Sequence, residues 1–468
     1  MSDLLVRGGR IADPEGLLSE TEPMDLLILE GRIAAIGKNL AREAPAGAPV
    51  LEVPDCVVAP GFIDMHVHLR EPGQGQKETI ASGTAAAARG GITTVLCMPN
   101  TSPPIDNASA VRWVLDKAAA EAKVRVLAAG AITKGGAGEE MAPIGSLKAA
   151  GVVAITDDGG CVQNHELMRR AVQYAKMFDL PVLDHCEETT LVGDGVMHEG
   201  LYSVMLGLPG WPAEGEELIV ARDILLAEKI GHRIHCQHVS SAGSVELIRA
   251  ARRRGVPISG EACPHHFTLT DAAIAGSEAF WPDDGAELSD LRPAEAPPSW
   301  PAYDTNFKMN PPLRSATDRE AVLAAAAEGV LTAIASDHAP HTNYDKEVEF
   351  DYAPFGVAGL ESEVGLALSR LYHSGRCSLR GLVARFTLGP AEILGLRDRG
   401  RLRRGFLGDL TILRLDARWV FRAKECVGKG RNTPFDGWRL TGKPVAAVVG
   451  GQAVWTDPQF VGGAAARD

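Results

Sequence analysis

Pro60-Gly61-Phe62-Ile63-Asp64-Met65-His66-Val67-His68-Leu69-Arg70 closes a short apolar run, Cys56 to Ile63, with two histidines spaced i, i+2. On a strand that spacing points both imidazoles to the same face. At a strand's end the pair can bite one metal ion, and neutral imidazole suits zinc or its neighbours. A single His-x-His is as often a pair of ordinary surface or core histidines. The company it keeps gives it weight here: further strand-like runs downstream end in a potential ligand, and each leads into a helix-like stretch.

Outward from that pair, short strand-like runs alternate with amphipathic helices. The runs are Ile92 to Met98, Val124 to Ala129, Val152 to Thr156, Pro181 to His185, Arg233 to Val239, Val256 to Glu261 and Leu331 to Asp337, which make eight with the first. Helices are expected at Asn107 to Lys123, where Val111, Val114, Leu115 and Ala118 form one stripe. Others are expected at Glu166 to Phe178, Glu216 to Ile230, Ser244 to Arg254 and Asp318 to Glu328. Eight βα units in series predict an α/β fold, a (β/α)8 barrel, with a doubly wound sheet as the weaker alternative. In such barrels the chemistry gathers at the C-terminal ends of the strands, where these candidate ligands fall. The flanks read as short strands with turns, as in Leu26-Leu27-Ile28-Leu29-Glu30-Gly31-Arg32-Ile33 and Asp409-Leu410-Thr411-Ile412-Leu413. They predict a small β domain built from residues 1–57 and 396–468, beside a catalytic barrel of residues 58–395. Residues 274–305, rich in Pro, Asp and Glu and without periodicity, predict a surface excursion.

At 468 residues the chain is long enough for a large domain with a smaller companion, and 45% hydrophobic content is ample for the core. A net charge of −13 argues against nucleic acid as a partner, because phosphate binding needs basic patches. No apolar run approaches the roughly 20 residues that span a bilayer, and the N-terminus lacks a signal peptide's apolar core. The eight cysteines include no Cys-x-x-Cys pair, so neither a disulfide framework nor a zinc ribbon is indicated. A soluble cytoplasmic protein is expected.

The candidate ligands come from five strand ends. Strand one supplies His66 and His68; strand four ends in Asp157-Asp158-Gly159, and strand five in Asp184-His185-Cys186-Glu187. Strand six ends in Gln237-His238, and strand eight in Ser336-Asp337-His338-Ala339-Pro340-His341. Singly, each has an ordinary reading as a turn, a helix cap or a hydrogen-bonded loop residue. Gathered at one mouth, four histidines and two carboxylates exceed what one tetrahedral zinc needs. They suit two cations about 3.5–4 Å apart with a bridging carboxylate.

With these motifs the chain resembles the cyclic-amide branch of the amidohydrolase superfamily, and within it the class I bacterial dihydroorotases. The resemblance runs through His66-Val67-His68-Leu69-Arg70-Glu71-Pro72-Gly73, Met98-Pro99-Asn100-Thr101, Asn306-Phe307-Lys308-Met309-Asn310-Pro311-Pro312-Leu313-Arg314 and Ser336-Asp337-His338-Ala339-Pro340-His341. Dihydropyrimidinases, hydantoinases and allantoinases normally bridge their metals with a carboxylated lysine on strand four. No lysine lies in Val152 to Thr156, and Lys148 sits too early. The class I enzymes use an aspartate there, which by resemblance is Asp158. The resemblance further implies that His66, His68, Asp158 and Asp337 hold one metal, and that His185 and His238 share Asp158 in holding a second. Two Zn2+ per chain are implied, other divalent ions being compatible. Arg70, Asn100 and His341 are implied to grip the substrate's carboxylate, Asn310 and the backbone at Phe355-Gly356 to hold the ring, and His68 to contact the substrate as well as the metal. Asp337 is implied to take the proton of the attacking hydroxide and hand it to the leaving nitrogen. The implied reaction interconverts N-carbamoyl-L-aspartate and L-dihydroorotate, a step of pyrimidine biosynthesis. A homodimer is implied, and an aspartate transcarbamoylase partner is compatible.

Two alternatives stay open on these residues. A hydantoinase-like amidase acting on other rings would leave Arg70 and Asn100 unused, and a non-catalytic scaffold subunit would be expected to have lost ligands that this chain keeps. His265 and His266 are expected to support the site or the fold without binding metal. His235 is expected to point opposite to His238 on a regular strand, and His165, His198, His232 and His373 to lie in helices or loops. The polar run from Thr342 to Gly356 is expected to form a mobile loop that orders over substrate.

Overall fold

The computed structural model describes residues 2–18, 21–276 and 300–460. Eight parallel strands form the inner sheet in chain order: β1 Phe62–Val67, β2 Ile92–Cys97, β3 Arg125–Gly130, β4 Ala154–Ile155, β5 Val182–Asp184, β6 Ile234–Cys236, β7 Ile258–Ala262 and β8 Ala333–Ile334. The ring is drawn together where Val67 bridges His338 and the His68 N–H donates to His338 O at 2.9 Å. Every residue of β1 and β2 is buried. That is the signature of parallel strands covered by helices outside and filled by side chains inside. The expected (β/α)8 barrel is therefore the observed fold.

Local chemistry accounts for where the helices begin. Asn107 accepts the backbone N–H groups of Ser109 and Ala110, opening the helix Ala108–Glu121. Asn164, Ser241 and Ser315 cap His165–Lys176, Ala242–Arg253 and Ala316–Glu328 in the same way. Each cap satisfies donors that the first helical turn leaves open.

Two strand expectations need correction. The apolar run Cys56 to Ile63 is not one strand: Val57–Pro60 pairs with Leu410–Leu413 in the outer sheet, and the chain enters the barrel only at Phe62. Gly61 makes the crossing, because a Cβ there would lie 2.2 Å from Thr93 Oγ1. The runs Val152 to Thr156 and Leu331 to Asp337 pair only at Ala154–Ile155 and Ala333–Ile334. Their C-terminal residues leave the ladder to build the mouth.

The outer sheet draws on both ends of the chain. Its order is Gln452–Thr456, Arg439–Val449, Leu410–Val420, Val57–Pro60, Leu4–Ile11, Pro23–Leu29 and Arg32–Gly37, with Val50–Glu52 also beside Leu4–Ile11. Arg125 of β3 donates to both oxygens of Asp409, at 2.6 and 3.0 Å, and ties this sheet to the barrel. The excursion expected at 274–305 falls mainly on residues 277–299, outside the described residues. Its described flanks pack inward: Ile274 is buried, and Trp300 donates to Ala273 O at 2.9 Å while stacking on Phe307. All eight cysteines carry free thiols. No helix among the described residues is long and apolar enough to cross a membrane.

Candidate active site

The C-terminal ends of β1, β4, β5, β6 and β8 bring His66, His68, Asp158, His185, His238 and Asp337 into one buried cluster. His66 Nε2 lies 3.1 Å from Asp158 Oδ1 and 3.4 Å from Asp337 Oδ1. His68 Nε2 lies 3.1 Å from Asp337 Oδ1 and 3.4 Å from Asp158 Oδ2. His185 Nδ1 and His238 Nε2, 2.8 Å apart, sit 3.7 and 3.8 Å from Asp158 Oδ1. One carboxylate thus faces ring nitrogens on both sides. Arg70, His238 and Asp337 adopt left-handed backbone with φ of 61°, 31° and 44°. Such conformations are costly for non-glycine residues and turn these side chains off the strand direction into the mouth.

The other nitrogen of each leading imidazole is already committed. His66 Nδ1 lies 2.7 Å from Glu261 Oε1, and Glu261 accepts a second imidazole, His235 Nε2, at 3.0 Å. Burial would raise the Glu261 carboxyl, yet His66 and His235 hold it down at about 2, so it is an acceptor. His66 Nδ1–H therefore donates to Glu261, and Nε2 presents a lone pair to Asp158 and Asp337. His68 Nδ1 lies 2.9 Å from Asn100 Oδ1, an obligate acceptor, so its Nε2 lone pair likewise faces those two carboxylates. Lone pairs aimed at carboxylate oxygens repel unless positive charge lies between them. The cluster's electrostatics express the same demand. Burial opposes charge on His66, but Asp158, Asp337 and Glu261 push its pKa well above the ordinary value. Asp158 Oδ1, though buried, satisfies no hydrogen bond. His66 with His68 and Asp337, and His66 with Asp158 and His238, offer donor atoms within 4.8 Å of one another. The donor set fits divalent cations.

Above the cluster lies a cavity of about 310 Å³, lined by the remaining candidates Arg70, Asn100, Asn310, His341, Phe355 and Gly356. His66 lies beneath it and is fully buried. Arg70 is anchored by Nε to Pro340 O at 3.2 Å, and burial lowers its guanidinium to about 10. His341 accepts at Nδ1 from Lys77 Nζ at 3.2 Å and donates from Nε2 to Phe355 O at 2.8 Å. Burial, with the charges of Arg70 and Lys77, pushes it down to about 3, so it is a neutral donor. Asn310 Nδ2 donates to Glu187 Oε2 at 3.1 Å, and Glu187 in turn holds His185 Nε2 at 2.9 Å. Gly356, at φ 135°, has no room for a Cβ, which would meet Ala339 O at 2.8 Å.

Several functional neighbours escaped sequence reading. Glu261 is the clearest, and a charged residue inside a buried strand was the available signal. His235 does not simply turn away: the left-handed backbone at His238 breaks the strand's alternation, and both imidazoles end on the inner side. His198 lies in the two-residue strand Met197–His198. His266 Nε2 donates to Pro311 O at 2.9 Å and so steadies the segment carrying Asn310. Asn432, far along the chain, donates to Ala339 O and Gly356 O at 3.0 Å and accepts the His341 N–H. Asp157 turns away from the cluster and accepts the Ile132 and Thr133 N–H groups. The segment from Thr342 to Gly356 begins with a capped turn at Asn343–Lys346 and buries Phe350. Two lysines pin it: Lys346 Nζ donates to Pro354 O at 2.8 Å, and Lys308 Nζ to Phe350 O at 2.7 Å.

Residues 55–244 match the dihydro-orotase-like family. The dihydroorotase of Pelotomaculum thermopropionicum is 47% identical over 97% of this chain and 99% of its own length. That of Citrifermentans bemidjiense is 46% identical over the same shares. Among solved structures, L-hydantoinase (dihydropyrimidinase) from Arthrobacter aurescens shares the fold, with a TM-score of 0.80 and 24% identity over 98% of this chain and 97% of that one. The dihydropyrimidinase of Brevibacillus agri shares it at a TM-score of 0.79 and 21% identity over 98% and 96%. Hydantoinases lend this chain only their shape, whereas nearly half its residues coincide with those of proteins named for one activity, from end to end: the chain belongs to the dihydroorotase family.

Proposed function

We propose that this protein is a dihydroorotase of the class I bacterial type, cyclising N-carbamoyl-L-aspartate to L-dihydroorotate and reopening that ring. The observation that carries this reading is a buried guanidinium, Arg70, lining the same small cavity as the histidine–carboxylate cluster. A ring whose amide is opened and which bears a free carboxylate needs both. In this reading His66, His68, Asp158 and Asp337 hold one divalent cation, and His185, His238 and Asp158 a second, both zinc. Bound there, such ions supply Lewis-acid polarisation of the ring carbonyl and acidify the attacking water. Asp337, whose carboxyl burial would raise but His66 and His68 hold below the usual range, is ionised and takes the water's proton, then passes it to the ring nitrogen. Arg70, His68, Asn100 and neutral His341 orient the substrate carboxylate, and Asn310 with the Phe355–Gly356 backbone orients the ring. The same reading makes the protein a cytoplasmic homodimer, with aspartate transcarbamoylase as a candidate partner. It assigns catalysis to residues 58–395 and a supporting role to 1–57 with 396–468.

Ring opening of dihydroorotate by the purified chain, with metal analysis of the same sample, tests the proposal. A fully metal-loaded chain that opens hydantoin or dihydrouracil but not dihydroorotate would overturn it.

Arg70→Met should cost on the order of 10- to 1,000-fold in kcat/KM for dihydroorotate, because charge-assisted hydrogen bonds are worth about 1.5–3 kcal/mol each. Metal content should survive, since Arg70 makes no contact with the cluster's ligand atoms among its hydrogen bonds. Dihydrouracil, lacking the carboxylate, is the control. A variant that discriminates between the two rings as wild type does would refute the assignment.

Glu261→Gln should weaken metal affinity by about 10- to 100-fold, the usual effect of losing a carboxylate behind a ligating histidine. Chelator competition measures it. Unchanged affinity would mean that Glu261 serves packing alone.

A further inference from the structure

At the opposite, N-terminal end of the barrel lies a second cavity, of about 540 Å³, and we propose that it binds a phosphate or phosphomonoester. Arg233 and Thr332, which precede β6 and β8, line it with Ser259 of β7, and the guanidinium-bearing Arg252 and Arg385 enter from the helices Ala242–Arg253 and Leu379–Phe386. Its volume lies within the range of small-molecule sites, larger than a bare inorganic anion requires.

Two of the arginines lining this cavity keep donors that the fold does not use. Among the described residues the Arg252 guanidinium makes no hydrogen bond or ion pair, and that of Arg385 spends only Nε, on Ala326 O at 3.1 Å. The carboxylates at the rim are committed outward: Glu328 pairs with Arg249, and Glu392 Oε1 with Arg401 Nη2 at 2.8 Å. Arg233 spends Nη2 on Asp179 and Ser259 spends Oγ on His235 Nδ1 at 2.8 Å, so the spare donors are those of Arg252 and Arg385. Burial and the neighbouring Arg252 charge hold the Arg385 guanidinium below its ordinary value. A cation at Arg252 suits the last turn of its helix, but that placement leaves its N–H groups unused. Two guanidinium groups with N–H donors to spare, lining one cavity, suit a tetrahedral dianion, which accepts hydrogen bonds on several sides. The apolar wall, including Pro257 and Leu388, leaves room for an organic body behind the phosphoryl group.

Calorimetric titration of the metal-loaded protein with inorganic phosphate and with phenyl phosphate tests this. Saturable binding at one site per chain is expected, weakened at least about 10-fold in Arg252→Met and in Arg385→Met and unchanged in Arg70→Met, which alters the front cavity. Arg252 is half-buried and its guanidinium makes no hydrogen bond or ion pair, so its variant keeps the test open if Arg385→Met fails to fold. Tighter binding of phenyl phosphate would identify a phosphomonoester, and equal binding the free anion. Absence of saturable binding, or binding lost in Arg70→Met and retained in Arg252→Met, would overturn the proposal.

Discussion

Asp158→Ala should strip the protein of most of its metal and abolish turnover. Its Oδ1 lies 3.1 Å from His66 Nε2 and 3.7 and 3.8 Å from His185 Nδ1 and His238 Nε2, while Oδ2 lies 3.4 Å from His68 Nε2. No other carboxylate among the described residues faces both histidine pairs in this way. Without it the two halves of the cluster lose their shared acceptor, and the Lewis-acid contribution, worth several kcal/mol, goes with the metal. A rate loss of about 1,000-fold or more is expected. Asp157→Ala is the comparison. Asp157 is just as near in sequence but accepts backbone N–H groups at 2.8 and 3.0 Å, so its loss should cost about 1–3 kcal/mol of stability and little metal. Elemental analysis and dihydroorotate turnover on both variants decide the matter. Two metals per chain and a near-normal rate in Asp158→Ala would remove the bridging role.

Asp337→Asn should lower kcat by about 100- to 10,000-fold, the range for losing a positioned acid–base group, while retaining more metal than Asp158→Ala. Asparagine keeps an oxygen at the ligand position and tolerates the left-handed backbone that Asp337 adopts at φ 44°. It cannot accept and release the proton. The expected pattern is therefore a fall in kcat out of proportion to the fall in metal content, read from kinetics and metal analysis on one preparation. A variant with full metal and wild-type kcat would show that the proton travels by another group.

The order of the barrel was legible because its signals are local. Apolar runs of strand length and stripes such as Val111, Val114 and Ala118 act over a few residues. The donor residues at the strand ends were legible for the same reason: each sits where a run stops. Strand limits were less so. Cys56 to Ile63 is continuous in hydrophobicity but serves two sheets, and only the close approach of Gly61 to Thr93 marks the crossing.

What the sequence determined by itself is thus the element order, the mouth as the place of chemistry, and the residue types available there. Tertiary structure alone decided how those residues are held. Glu261 supports His66 across 195 positions, and Asn432 fastens the backbone of His341 across 91. His238 joins His185 and Asp158 because the backbone turns at its own position, at φ 31°. Arg252 and Arg385 of the rear cavity come together only when the barrel closes. Such pairings join residues far apart in the chain, so they leave no period or spacing to read. They exist only because burial forces each polar group to find a partner wherever the fold has brought one.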